Sequence, residues 1–327
     1  MAVELALKGL VTVFGGSGFV GRHAVRALAR HGYRVRVACR RPDLAGHLQP
    51  MGRVGQIHAV QANVRYPDSV RRAVDGADAV VNLVGILAPS GRQTFRAVHV
   101  AGARAAARAA REAGAAHLVH VSAIGADRKS SGIYGRTKAE GEGGVLEAFP
   151  EATILRPSIV FGPEDEFFNR FAAMARAAPL LPLIGRGRTK FQPVYVGDVA
   201  SAIAAACEGK AQRGRIYELG GPEVLTFRKL LDRTQEWAGR DRGYFPMPFW
   251  LASLAAMLTA PLPAGLRPLT LDQVRMLRRD NVVSDAALKE GRTLQGLGIE
   301  HPHAIDSIVP GYLEQFRPKG QYSHYRG

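Results

Sequence analysis

Short β-branched and apolar runs alternate with alanine-rich amphipathic stretches through the first half of the chain. Runs at 10–14, 34–39, 56–60, 79–84, 117–122 and 152–160 have the residue types of strands. Between them, residues 19–31, 68–75 and 97–113 are alanine-rich and amphipathic, as helices are. Such alternation predicts an α/β fold, a Rossmann-type doubly wound parallel sheet. After Gly162 the pattern loosens into a helix near 166–177, a proline-rich stretch around 179–193 and a helix near 197–208. Later segments are short and broken by Pro and Gly, as in a smaller C-terminal α/β domain of substrate-binding type. The expected division is a first domain over 1–165, to which 191–208 returns, and a second over 166–327.

The first strand runs straight into glycines. Residues 11–21 read Val-Thr-Val-Phe-Gly-Gly-Ser-Gly-Phe-Val-Gly, and a helix opens there. Gly15, Gly18 and Gly21 sit three apart, and Gly16-x-Gly18-x-x-Gly21 fits the dinucleotide fingerprint. Glycine there allows a tight turn, bare backbone against a pyrophosphate, and close packing of helix on strand. The start of the helix adds unpaired N–H groups and the positive end of its dipole. The strand before and the Ala/Arg/Leu helix after supply the context that three glycines alone lack. Residues 1–165 are therefore expected to bind a dinucleotide.

Composition narrows the class. At 327 residues and 46% hydrophobic content, the chain can bury one large core and a smaller one. The two cysteines, Cys39 and Cys207, stand far apart in apolar runs and read as buried free thiols. No metal-ligand spacing is present; His301 and His303 flank Pro302 with no further ligand to complete a site. The first strand begins almost at once, so no cleaved secretory segment is expected, and the cytoplasm or the cytoplasmic face of a membrane follows. A formal charge of +16 favours an anionic partner surface. Arg104, Arg108 and Arg111 share one helix face, a solvated pattern, and no nucleic-acid motif accompanies them.

Candidate chemistry follows at Ser122, at a strand end, and at Tyr134 and Lys138, four apart on one helix face. A tyrosine of ordinary pKa, about 10, is a poor acid or base at neutral pH. A cationic lysine beside it favours the phenolate and makes acid–base work possible. The lysine can also hydrogen-bond nicotinamide-ribose hydroxyls, while the serine holds a substrate oxygen. Beyond the second strand, Ala38-Cys39-Arg40-Arg41 lacks the acidic residue that would accept a ribose 2′-hydroxyl. An arginine there suits a 2′-phosphate, so NADP(H) is favoured over NAD(H), although Arg40 and Arg41 also read as ordinary surface arginines.

The glycine cluster, Asn82-Leu83-Val84-Gly85, Ser122, Tyr134-x-x-x-Lys138 and Arg156-Pro157-Ser158-Ile159-Val160-Phe161-Gly162 together resemble the extended and atypical short-chain dehydrogenases/reductases. Phe149-Pro150-Glu151-Ala152, Phe161-Gly162-Pro163-Glu164-Asp165 and Gln192-Pro193-Val194-Tyr195-Val196-Gly197-Asp198-Val199 resemble the nucleotide-binding accessory subunits of respiratory complex I and their bacterial relatives. So do Asp280-Asn281-Val282-Val283-Ser284 and Phe316-Arg317-Pro318. The resemblance implies a tightly held NADP(H), with Gly15, Gly16, Ser17, Gly18, Phe19, Val20 and Gly21 at the turn. Arg40, Arg41, Asn63, Val64, Leu83, Val84 and Gly85 would continue the cofactor site. Val121, Ser122, Tyr134, Lys138, Pro157, Ser158 and Ile159 would complete it, with Ser122, Tyr134 and Lys138 catalytic if the protein turns over. It also implies complex I subunits as partners, at the junction of peripheral arm and membrane near the quinone site. Location on the cytoplasmic side of a bacterial inner membrane follows.

Several positions depart from the superfamily pattern. Phe14 stands where a small hydroxyl residue is usual, and Asn63 where an adenine-contacting aspartate is frequent; its amide can still bond the ring. His99 stands where asparagine is often found and reads as a packed helix residue. Glu164, Asp165 and Glu166 read as a helix N-terminal cap region.

Residues 245–266 carry no charge. The prolines at 248 and 261 leave 12 residues between them, about 18 Å of helix, where a bilayer core of about 30 Å needs nearly twice that. The segment therefore lies on a membrane surface, in a partner's groove or in the core of its own domain. The basic tail, with Arg317, Lys319, His324 and Arg326, extends over such a surface or stays disordered. The expected function is an NADP(H)-binding accessory subunit with little or no turnover. The alternatives are an active NADPH-dependent reductase or epimerase, and a nucleotide-ratio sensor.

Overall fold

A computed structural model describes residues 8–259 and 269–318. The chain opens with β1 (Lys8–Phe14), α1 (Phe19–Arg30), β2 (Tyr33–Cys39), β3 (Ile57–Gln61), α2 (Pro67–Val74) and β4 (Ala79–Asn82). A π-helical turn (Arg96–Gly102) leads into α3 (Ala103–Glu112), followed by β5 (His117–Val121), α4 (Ile133–Ala148) and β6 (Thr153–Pro157). Then come β7 (Val160–Phe161), α5 (Phe168–Ala177), β8 (Leu180–Ile184), β9 (Lys190–Phe191), β10 (Val194–Tyr195), α6 (Val196–Cys207) and β11 (Ile216–Leu219). The remainder comprises β12 (Leu225–Thr226), α7 (Phe227–Trp237), β13 (Gly243–Met247), α8 (Phe249–Leu258), α9 (Leu271–Met276), α10 (Asp285–Lys289) and α11 (Ile305–Leu313).

Among the described residues, the first compact unit comprises 8–157, 196–219 and 284–300. Its seven strands lie in the order β11-β6-β5-β4-β1-β2-β3, every neighbouring pair parallel. Helix α1 packs beside α6, while α2, α3 and α4 pack in a row, so the sheet is doubly wound. Val80, Leu118 and Ile154 of the sheet meet Ala106, Ala107 and Ala110 of α3, whose small side chains let helix and sheet approach closely. Phe14 is buried in this core, which explains a large apolar residue where a small hydroxyl was expected. The chain reverses direction across the sheet between β1 and β4. Ligands of such folds bind outside the carboxyl ends of the strands at that reversal.

Among the described residues, the second unit comprises 158–195, 220–259, 269–283 and 301–318. The strand expected over 152–160 stops at Pro157, because the Ser158 hydroxyl turns to Asn281, 2.6 Å from its Oδ1 and 3.0 Å from its carbonyl oxygen. The division thus falls ahead of residue 165, and the returning segments are 196–219 and 284–300. Three two-stranded pieces, β7 with β10, β8 with β13 and β9 with β12, surround an aromatic core. Phe161, Phe168 and Phe227 are fully buried there, packed by Phe167, Phe171 and Trp237. Asp165 accepts the N–H of Phe168 at 2.6 Å at the start of α5 and also the Tyr312 hydroxyl. The apolar 245–266 segment is helical over Phe249–Leu258; residues 260–266, and the tail from 319, lie outside the described residues. Among the described residues, no helix is long and apolar enough to cross a membrane.

Candidate functional site

At the end of β1 the backbone turns through Gly15, whose φ of +78° is a left-handed conformation that side chains disfavour. Gly15 N–H donates to Ala38 O at 3.1 Å, and Gly18 N–H to Gly15 O at 3.1 Å. Helix α1 begins at once and drives Gly21 onto the turn. A β-carbon at Gly21 would lie 2.2 Å from Gly15 O. At Gly16 it would press on Val13, Val25 and Val37 at 3.0–3.3 Å, whereas at Gly18 it would meet only Gly15 O, at 3.4 Å. Gly18 is therefore the glycine of the motif facing open space. It precedes a helix start with no side-chain cap and no acidic residue in its first turn, which suits an anion.

Beyond β2 the two arginines differ. Arg41 grips Asp43 through Nε at 3.1 Å and Nη2 at 2.8 Å, and the pair lowers the Asp43 carboxyl. Arg40 is exposed and makes no ion pair among the described residues. Asn63 Oδ1 accepts the N–H of Arg65 at 3.1 Å, so part of its hydrogen-bonding capacity is spent on its own turn. Val64 is buried beneath Gly102. After β4, Asn82 Oδ1 accepts the N–H of Val84 at 3.1 Å, and Leu83 N–H donates to Phe14 O at 3.0 Å. These bonds lay 83–85 alongside the glycine turn.

Ser122 follows β5, its N–H bonded to Leu155 O at 2.7 Å. Its hydroxyl is buried and has no partner among the described residues, an arrangement that costs free energy unless a ligand or water completes it. On α4, Lys138 Nζ lies 5.9 Å from the centroid of the Tyr134 ring and donates to Val121 O at 3.3 Å. Burial pushes the Lys138 ammonium down to about 8, with Glu142 pulling it partly back. A β-carbon at Gly85 would lie 3.4 Å from that ammonium. Pro157 closes the unit, its carbonyl accepting Ile124 N–H at 3.0 Å. Ser158 and Ile159 belong to the second unit. There Ser158 bonds Asn281, and the Ile159 carbonyl accepts Val194 N–H at 2.9 Å.

The first unit thus brings the glycine turn, 83–85, Ser122, Tyr134 and Lys138 to the carboxyl ends of its strands. Bare backbone, an uncapped helix start, a lysine and an orphaned hydroxyl fit a nicotinamide dinucleotide. Other pairings that matter here were not apparent from local sequence. His120 pairs through Nδ1 with Asn82 Nδ2 at 3.1 Å, and its buried Nε2 has no partner among the described residues. Arg156 grips Glu142 at 2.6 and 2.8 Å and lies 3.6 Å from Glu218. His99 is buried, bonded to Ile86 N–H and Thr137 Oγ1. Among the described residues, no group of three or more His, Cys, Asp or Glu could hold a metal ion.

Residues 11–220 match the NAD dependent epimerase/dehydratase family. The chain is 37% identical over 331 residues to NADH dehydrogenase (ubiquinone) 1 alpha subcomplex subunit 9, mitochondrial, of Arabidopsis thaliana, covering 96% of this chain and 80% of that one. It is 30% identical to the NADH-ubiquinone oxidoreductase 40 kDa subunit, mitochondrial, of Neurospora crassa, over 95% and 80% of the two chains. A ceramide reductase of Caulobacter vibrioides is 34% identical over 61% of each. Among solved structures, an NADPH-dependent quinone oxidoreductase of Escherichia coli complexed with NADPH superposes with a TM-score of 0.72. That match covers 93% of this chain and 99% of that one at 20% identity, which is a likeness of fold.

Proposed function

The chain belongs to the NAD dependent epimerase/dehydratase family, and within it to the group of the NADH dehydrogenase alpha subcomplex subunit 9 proteins; on that premise we propose that it is an accessory subunit of a respiratory complex I holding NADP(H) as a fixed structural ligand. The observation that carries this reading is 30–37% identity to such subunits over 90–96% of the chain. The orphaned Ser122 hydroxyl and the open face of Gly18 support it physically, since both are features that a bound ligand completes.

In this reading Gly15, Gly16, Ser17, Gly18, Phe19, Val20 and Gly21 take the diphosphate at the start of α1. Arg40 takes the 2′-phosphate, being free of the Asp43 contact that occupies Arg41. Asn63 and Val64 face the adenine, and Leu83, Val84 and Gly85 line the middle of the cofactor. Lys138 and Tyr134 hold ribose hydroxyls, beside Val121, Ser122 and Pro157. The bound nicotinamide would supply hydride chemistry, yet the same residues retain a nucleotide without turnover. A ligand that binds only the folded state stabilises it by mass action.

The proposed location is the cytoplasmic face of a bacterial inner membrane, by peripheral contact near the quinone site. Supporting this, Trp250, Leu254, Met257 and Leu258 expose apolar side chains along α8. The test is affinity purification of the tagged chain from its host in mild detergent. Complex I subunits are expected to co-elute; a chain that elutes alone, with the membrane fraction's NADH:quinone activity unchanged on its deletion, contradicts the reading.

Two observations favour a second reading as an NADPH-dependent reductase: the presence of Ser122, Tyr134 and Lys138 together, and the similarity to a protein named ceramide reductase. Tyr134 would then move the proton, Lys138 would tune it and Ser122 would hold the substrate oxygen. Tyr134→Phe separates the readings. It abolishes a reductase phenotype, whereas in the structural reading it removes one ribose hydrogen bond and weakens nucleotide retention without abolishing assembly.

A further inference from the structure

His99 lies in the π-helical turn Arg96–Gly102. Its carbonyl lies against α4: a β-carbon at Gly141 would be 2.0 Å from His99 O, so only glycine fits there. The imidazole makes two further connections. Its Nε2 accepts the N–H of Ile86 at 3.1 Å, and its Nδ1 lies 3.1 Å from Thr137 Oγ1. Because Nε2 accepts, Nδ1 carries the proton and donates to Thr137. The Thr137 hydroxyl in turn donates to Ile133 O at 2.9 Å. A directed chain of hydrogen bonds therefore runs from the loop after β4, through His99, into the backbone of α4.

Its two ends are the two sides of the candidate site. Ile86 directly follows 83–85, and Thr137 lies between Tyr134 and Lys138 in sequence. A β-carbon at Gly85 would be 3.4 Å from Lys138 Nζ and 3.8 Å from His99 Nε2, so loop, ammonium and imidazole meet at one point. We propose that His99 is the positioning residue that locks 83–86 to α4, and that it thereby sets how slowly the nucleotide leaves. The inference rests on the nucleotide reading of this site. The groups facing the ring are Lys138, His120, Tyr134 at 5.4 Å and Phe95 at 5.3 Å between centroids. Burial and the Lys138 charge hold the imidazole neutral, so the polarity of the chain is constant near neutral pH.

The test is the rate of NADPH release from the full-length protein, followed by nucleotide fluorescence after a chase with excess NADP+. His99→Leu removes both connections and is expected to speed release about ten-fold or more; Thr137→Val, which removes one, gives an intermediate rate. His99→Gln keeps an acceptor for Ile86 N–H and is expected to stay within about three-fold of wild type. Nitrogen-15 spectra should show the proton of His99 on Nδ1, a signature that mere packing would not impose. Unchanged release in both His99→Leu and Thr137→Val, or a proton found on Nε2, overturns the lock alone. A wild-type protein that binds no NADPH overturns the nucleotide reading as well.

Discussion

At the scale of single residues, the glycine turn separates folding from binding. Gly21→Ala places a methyl group into the Gly15 carbonyl and should cost about 3 kcal/mol of stability. Gly18→Ala meets only a 3.4 Å contact, so the ligand-free protein should keep its melting temperature while NADPH binding weakens. Thermal melts with and without NADPH distinguish the two. Ser122→Ala makes the same separation at the other end of the site. Its hydroxyl has no partner to lose, so ligand-free stability should hold or rise slightly while NADPH affinity falls by about ten-fold.

The buried histidines set an acid limit. His99 and His120 are each pushed by burial from an ordinary 6.5 to about 3. The unfolded chain takes up protons below about 6.5 that the folded chain refuses until about 3, so these groups withdraw stability as pH falls through that window. Lys138, lowered from 10.5 to about 8, keeps its proton longer when unfolded, so its contribution to stability improves as pH rises from 8 to 10.5. Urea midpoints at pH 7 and pH 5 check the acid limb: the wild-type loss should exceed that of His120→Gln. Of this chemistry, the glycines, Ser122, Tyr134 and Lys138 were legible because each is defined by local spacing. His99 reads from sequence as a packed helix residue, as it is, but its bond to Thr137 did not show, nor did the pairing of His120 with Asn82, because each partner lies 38 residues away.

Among elements, the strands of the parallel sheet were legible because buried strands are apolar and β-branched over their whole length. The end of β6 was not, since Ser158 is drawn off by Asn281, 123 residues later. The π-helical turn was equally hidden; it stands where Gly141 approaches the His99 carbonyl closely. Helix α4 is fastened to β6 by the buried Glu142 and the partly buried Arg156. Glu142→Gln leaves Arg156 with Glu218, 3.6 Å away, as its charged partner and should cost about 2 kcal/mol by chemical denaturation. Helix α8 differs in turning apolar residues outward: Trp250 is 67% and Leu258 73% exposed. Trp250→Glu with Leu258→Glu should leave the fold unchanged and abolish co-sedimentation with anionic phospholipid vesicles. A wild-type protein that stays in the supernatant would remove the membrane contact from the proposal.

For the whole molecule, a charge of +16 and two compact units describe a protein suited to an anionic partner. The division between units could not be read from composition, because residues 196–219 and 284–300 return to the first unit after long excursions. In the proposed reading, the open helix start and the buried orphan hydroxyl both serve a negatively charged cofactor built into the fold. The most direct measurement is the nucleotide released when protein purified from its own host is denatured and analysed by mass spectrometry. About one equivalent of NADP(H) per chain, retained through purification, is the expected result. Protein that carries no nucleotide, and whose melting temperature does not move when NADPH is added, would contradict it.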